Sequence, residues 1–213
     1  MIRVAVADYG AGNLVSIGRA LEVVGAEPIV IRDAEALRGA DALIVPGVGA
    51  AGPAMERLRR RGLVDPIRSW IAQDRPFLGI CLGLQLLFDG SDEDGSATLG
   101  ALAGRTILLA DAPTLPHIGW NTVERTDAHP LFDGIADGAA FYFVHSYVAA
   151  PTDSNLVIGV SEHGSRFPAA IAQGNLLGVQ FHPERSGPDG LRLLSNFVSI
   201  VVGLASSAAH VTA

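Results

Sequence analysis

Cysteine is almost absent: Cys81 is the single thiol among 213 residues. No internal disulfide can form, so the sulfur suits a reducing, cytoplasmic setting or a reactive role. Charge is scarce too, at 17% of residues, and leans acidic to a formal net charge of −7. That balance excludes the basic face that nucleic acid or an anionic membrane surface requires. No apolar run approaches the roughly 20 residues of a membrane span. The opening MIRVAVADYG lacks the basic region and long apolar core of a secretory leader. No linker rich in Pro or Ser divides the chain, and no internal repeat is visible. The expectation is one domain over residues 1–205, with 206–213 a disordered tail. With 49% of residues apolar, that domain can bury a substantial core.

The first half alternates short apolar runs with helical periodicity. Strands are expected at 2–7, 28–31, 42–45 and 77–80. Leu14, Ile17, Leu21 and Val24 space like a helix face, Met55 and Leu58 mark a second helix, and a third surrounds 67–71. Residues 82–88 are apolar all round and read as a buried helix. Such alternation implies an open, mainly parallel α/β sheet flanked by helices. The second half changes character. Short strand-like runs (TILL, NTVE, FYFVHSYV, NLVIGV, AAIA, LLGVQFH) follow closely, and no clear helix returns until Leu191. They read as antiparallel strands added to the same sheet.

Cys81 sits at the end of one apolar run and the start of the next, inside Gly79-Ile80-Cys81-Leu82-Gly83. This is the G-x-S-x-G nucleophile elbow with sulfur in place of oxygen. A nucleophile on a sharp strand-to-helix turn leaves no room for side chains two residues away. The turn lifts the sulfur above the sheet at a helix N-terminus, where the dipole favours thiolate. The Leu82 N–H then becomes one oxyanion donor. A buried structural cysteine is the alternative.

A thiol nucleophile needs a base. His129, His163 and His210 read as surface residues, and His117 and His145 have no acidic companion nearby in sequence. His182 is followed by Pro183 and Glu184. Proline holds its predecessor extended, and in extended chain i and i+2 project to one side. Glu184 can then accept from His182 Nδ1–H, leaving Nε2 for Cys81. A solvated turn is the alternative. GVGAAG at 47–52 satisfies G-x-G-x-x-G, but the next strand ends at Cys81, not at the acidic residue a dinucleotide site wants. Its Gly47–Gly49 stretch, with Val48 and Gly49 amides, better supplies the second oxyanion donor. SDEDG at 91–95 reads as a solvated acidic turn without metal-site spacing. No metal and no cofactor is expected.

With these residues in place, the chain resembles the class I (triad) glutamine amidotransferases, and among them the glutaminase subunits of imidazole glycerol phosphate synthase. The matching segments are DYGAGNLVSI, PGVGA, PFLGICLGLQLLF, PHIGWN, FYFVHSY and GVQFHPERSG, in that order, nearly end to end. The resemblance implies Cys81 as nucleophile, His182 as base and Glu184 as its orienter. It implies that Gly47, Gln85, His145, Ser146 and Tyr147 help hold glutamine. It further implies histidine biosynthesis and a heterodimer with a (βα)8-barrel cyclase, met through Asn13, Ile118, Trp120, Asn121 and Arg185. Departures are mild. Leu84 and Ile118 stand where methionine is common, Ala51 where an aromatic is common, Arg185 for a lysine, and Thr114 for a basic residue. An α/β-hydrolase or cysteine peptidase fits less well, because the carboxylate follows the histidine by two residues. The remaining alternatives are a glutaminase serving a different synthase and a regulatory domain with a vestigial triad.

Overall fold

A computed structural model describes residues 1–211, with side chains through residue 206. Its elements run β1 (Arg3–Ala7), α1 (Leu14–Val23), β2 (Glu27–Ile31), β3 (Ala42–Gly47), α2 (Ala51–Arg60), α3 (Val64–Ala72), β4 (Phe77–Cys81) and α4 (Leu82–Gln85). Then follow β5 (Gly90–Ser91), β6 (Gly104–Leu108), β7 (His117–Arg125), β8 (Ala139–His145), β9 (Tyr147–Pro151), β10 (Val157–His163), β11 (Ser165–Gln173), β12 (Leu176–Val179) and α5 (Gly187–Val211). Nine strands form one mixed sheet in the order β2-β1-β3-β4-β12-β11-β10-β7-β8. The half from β2 to β12 is parallel, and the half from β12 to β8 is antiparallel.

The parallel strands carry unbroken apolar runs because helices cover both faces. Val4 and Val6 of β1 face one core with Ile17 and Leu21 of α1 and Leu193, Leu194 and Phe197 of α5. Ala5 and Ala7 face the other, with Met55 and Leu58 of α2, Ile67 and Trp70 of α3, and Leu82, Leu84, Leu86, Leu87 and Phe88. The period of two thus divides one strand between two cores.

Several expectations are corrected. The strand read as 141–148 breaks at Ser146. Its first part is β8 in the large sheet, and its second part is β9, which pairs with β6 in a separate three-stranded sheet β5-β6-β9. The TILL run joins that small sheet too. The helix read over 82–88 stops after Gln85: the Leu87 N–H bonds Leu84 O in a tighter turn, and the end carbonyls of Leu86, Leu87 and Phe88 are taken by the amides of Leu99, Ala101 and Gly100. The closing helix begins earlier than Leu191 and runs to Val211; residues 212–213 of the expected tail lie outside the described residues. Against the expectation of no run near a membrane span, residues 187–206 of α5 are, by length and composition alone, long and apolar enough to cross one. Here its inward stripe, with Leu193, Leu194 and Phe197 at 0% exposure and Val201 at 2%, packs on the sheet.

Candidate active site

β4 and β12 lie side by side at the centre of the sheet, Leu176 opposite Phe77 and Val179 opposite Ile80. Their carboxyl ends bring Cys81 and His182 together across the chain. Cys81 holds φ 53°, ψ −107°, a left-handed conformation that a side chain adopts only under constraint, and it is 4% exposed. The glycines of the elbow are required. A Cβ on Gly79 would lie 2.6 Å from the Gly83 carbonyl oxygen, and one on Gly83 would lie 1.7 Å from that of Val45. The α4 helix beyond is a single turn, so its dipole is smaller than a long helix would supply. Leu82 is its first residue, and the helix's own ladder offers that N–H no acceptor.

His182 is extended (φ −104°, ψ 94°), but Pro183–Arg185 that follow form a 3-10 turn. The meeting of imidazole and carboxylate therefore comes from a turn folding Glu184 back, not from the extended run expected from the sequence. His182 Nδ1–H donates to Glu184 Oε1 at 3.0 Å, with the two side chains only 6% and 1% exposed. Burial works against charge on this histidine; the neighbouring Cys81 sulfur and the Glu184 carboxylate outweigh it and push its pKa up to about 10. His182 Nε2 and Glu184 Oε2 are buried and make no hydrogen bond of regular geometry.

A cleft of about 190 Å³ opens above Cys81, lined by Gly49, Leu82, Gln85, Glu93, Ser146 and Tyr147 among others. Gly49 has φ +95° and reaches the cleft. Gly47, opposite Cys81 in the β3–β4 register, does not line it. There the missing side chain admits the Tyr9 hydroxyl and Leu82. Val48 also lies off the lining and is half exposed. His145 lines the cleft too, though it is largely buried: its Nδ1–H donates to Tyr147 O at 3.1 Å, and burial first, then His117, lowers its pKa to about 3. Burial first, then His163 stacked on it at 4.2 Å, lowers His117 to about 4.

Among the expected interface residues, Ile118 and Trp120 are exposed on β7 at 60% and 58%. The Arg185 guanidinium lies 4.1 Å over Tyr142, and the Trp120 ring meets Tyr142 edge-on at 6.3 Å, so these two share a surface beside Glu184. Asn13 caps α1 by accepting from Ser16 N–H at 3.3 Å. Asn121 donates to Glu162 O at 2.8 Å.

Two residues of the site escaped the sequence. Gln180, fully buried, donates to Cys81 Sγ at 3.6 Å; its one signal was standing two residues before His182. Glu93 belongs to the acidic turn, which is not simply solvated. Asp94 accepts from Gly52 N–H at 2.7 Å, capping α2 from outside, and Glu93 lines the cleft. Burial first, then the charge of Asp94, raises the Glu93 pKa.

This geometry coincides with clear relatives. Residues 5–201 match the model of the class-I glutamine amidotransferase family. The imidazole glycerol phosphate synthase subunit HisH of Symbiobacterium thermophilum is 45% identical over 97% of this chain and 98% of its own. The subunit of the same name from Thermosynechococcus vestitus is 48% identical over 93% and 97%. The solved structure of PurLQS from Thermotoga maritima superposes with TM-score 0.76 at 20% identity, over 94% of this chain and 99% of that one, a likeness of fold. With an elbow cysteine, a buried His–Glu pair and full-length relatives of this kind, the chain belongs to the class-I glutamine amidotransferases, in the family of the HisH subunits of imidazole glycerol phosphate synthase.

Proposed function

We propose that this subunit hydrolyses the side-chain amide of glutamine through Cys81, His182 and Glu184 and passes the ammonia to a cyclase subunit that makes imidazole glycerol phosphate. The observation that carries the reading is His182 held on Glu184 at 3.0 Å, beside Cys81 at the floor of a cleft. His182 takes the thiol proton, and the sulfur attacks the amide carbon. The oxygen gathers charge against the Leu82 N–H and an amide of the Val48–Gly49 loop. His182 then protonates the leaving nitrogen, ammonia departs, and water deprotonated by the same ring opens the thioester to glutamate. Glu184 keeps the ring in register and balances its charge. In the cleft, Glu93 offers a carboxylate to the α-ammonium of the substrate, and Gln85, Ser146 and Tyr147 offer polar groups to the rest.

Ammonia in water near neutral pH is mostly ammonium and no nucleophile, so it is used where it is made. The acceptor site belongs to a partner with a (βα)8-barrel fold in a heterodimer, docked over Ile118, Trp120, Asn121, Arg185 and Asn13. One domain over residues 1–205, working in the cytoplasm in histidine biosynthesis, completes the reading.

The test uses the reconstituted complex carrying Cys81→Ala. Glutamine-dependent product formation is expected to vanish, while ammonium salts at alkaline pH restore product. Retained glutamine-dependent turnover would remove Cys81 from the role of nucleophile.

A further inference from the structure

Two buried side-chain amides and one backbone carbonyl set the polarity of the catalytic sulfur's surroundings. Gln180 donates its carboxamide nitrogen to Cys81 Sγ at 3.6 Å, and its carboxamide oxygen accepts from Gln85 Nε2 at 3.1 Å. The same Gln85 nitrogen donates to the Tyr147 carbonyl at 2.8 Å. A backbone carbonyl can only accept. Gln85 must therefore turn its NH2 toward Tyr147, that NH2 meets Gln180 through oxygen, and Gln180 is left with its own NH2 aimed at sulfur. Reversing either side-chain amide would set donor against donor or acceptor against acceptor in a buried site, where mismatches cost most.

The carbonyl at the root of this order is itself held. Its other neighbour is His145 Nδ1–H, at 3.1 Å. With that nitrogen donating, His145 Nε2 in the neutral ring accepts from His117 Nδ1–H at 3.1 Å, and His117 Nε2 accepts from Asn121 Nδ2 at 3.3 Å. Asn121 is anchored in turn on Glu162 O. Two donor arms therefore meet on the Tyr147 carbonyl: one comes from β7 through Asn121, His117 and His145, and the other is the Gln85 amide, which leads on through Gln180 to the sulfur.

We propose that Gln180 is a positioning residue for Cys81, holding an N–H donor on the sulfur in an orientation dictated by the Tyr147 carbonyl. The inference rests on Cys81 being the nucleophile. A donor at sulfur favours S⁻ over S–H. The Val144 carbonyl, 3.8 Å from Sγ, is a neighbour of the opposite kind, suited to S–H, and Gln180 offsets it. Gln180 has no place in the cleft wall. It acts on the reacting atom and not on glutamine binding.

The experiment follows iodoacetamide alkylation of the full-length chain across about pH 5 to 9, in wild type, Gln180→Met and Gln85→Met. Loss of one hydrogen bond to a charged group should slow alkylation of the folded Gln180→Met protein roughly tenfold at neutral pH and move the pH midpoint of the rate upward. Gln85→Met should shift the midpoint the same way by less, because Gln180 keeps its amide but loses the contact that orients it. In the complex, Gln180→Met should lower kcat and leave KM for glutamine unchanged. A purely structural role would lower stability without moving the midpoint. Wild-type rate and midpoint in both folded variants overturn the proposal, and if Gln180→Met does not fold, Gln85→Met decides it by the same criterion. A wild-type chain that alkylates as slowly as a free thiol at every pH would instead sink the nucleophile assignment on which the proposal rests.

Discussion

Adding one methyl group at Gly83 should cost this enzyme both stability and turnover. The Cβ would sit 1.7 Å from the Val45 carbonyl oxygen and 2.8 Å from its carbon. An unstrained carbon–oxygen approach is on the order of 3.3 Å, so the turn of α4 or the strand β3 must give way by about 1.6 Å. Neither is a flexible side chain. Both are buried backbone at the middle of the sheet, pinned by the β3–β4 register from Leu43 to Gly47. Helix propensity pulls the other way, because alanine in place of helical glycine gains about 1 kcal/mol. Over-packing costs 1–3 kcal/mol where side chains can adjust, and here the clash is with main chain. The net loss for Gly83→Ala should be about 3 kcal/mol, or on the order of 10 °C in Tm for a chain of this length. Whatever protein survives carries an elbow displaced by more than about 1 Å, which should lower kcat by ~100-fold or more. Urea melts followed by circular dichroism and glutamine turnover in the complex measure the two effects. Gly203→Ala, where a Cβ meets nothing within 4 Å in α5, is the control and should be neutral or mildly stabilising. A Gly83→Ala protein within ~0.5 kcal/mol of wild type and fully active would refute the steric account of the elbow.

His182→Ala should abolish turnover, while Glu184→Gln should fold and retain part of it, since the base stays and only its support is lost; equal, unchanged kcat in both would take the pair out of the mechanism. Because the folded pKa of His182 stands near 10 against about 6.5 unfolded, its contribution to stability is complete below 6.5 and lost as pH rises toward 10. Urea midpoints should fall across that window in wild type and stay flatter in His182→Ala. His145 and His117 have the opposite sign: pKa values of about 3 and 4 mean that both stay neutral when folded, so stability should decline as pH drops below 6.5. A His145→Asn protein with an acid limb as steep as wild type would contradict this. Trp120→Ala, at a 58% exposed position, should leave stability within ~0.5 kcal/mol and weaken cyclase binding by 2 kcal/mol or more, read by calorimetric titration; unchanged affinity would place the interface elsewhere.

What could be read from the sequence was whatever nearest neighbours determine. The strands at 3–7, 42–47 and 77–81 show as apolar runs, and the elbow shows as two glycines around a thiol, a pattern legible by spacing alone although the clash at Gly83 is with the distant Val45. The length of α4 was not legible. Leu86 to Phe88 are apolar enough for helix, but their carbonyls accept from the distant Leu99–Ala101 segment, a docking that sequence does not show. The small sheet was hidden for a similar reason, since β5 is two residues long and β9 shares an apolar run with β8. HPE was found although its geometry was misread: the spacing of two survives a change from extended chain to 3-10 turn. Gln180 and Glu93 were missed because their meaning lies in partners 99 and 42 positions away: Gln180 meets Cys81, and the turn that carries Glu93 is docked by Asp94 on Gly52.

The pairing of β12 with β4 also fixes when, in the life of the chain, the enzyme can exist. Cys81 and His182 stand at the ends of strands whose matched residues, Phe77 and Leu176, are separated by almost half the sequence. A nascent chain that has emerged through β4 and α4 already carries Cys81, yet it has neither His182 nor Gln180 to set beside it. Closing so long a loop is slow relative to forming the local α/β units, which fold as they leave the ribosome. Fragments that end before residue 176 should therefore be glutaminase-silent.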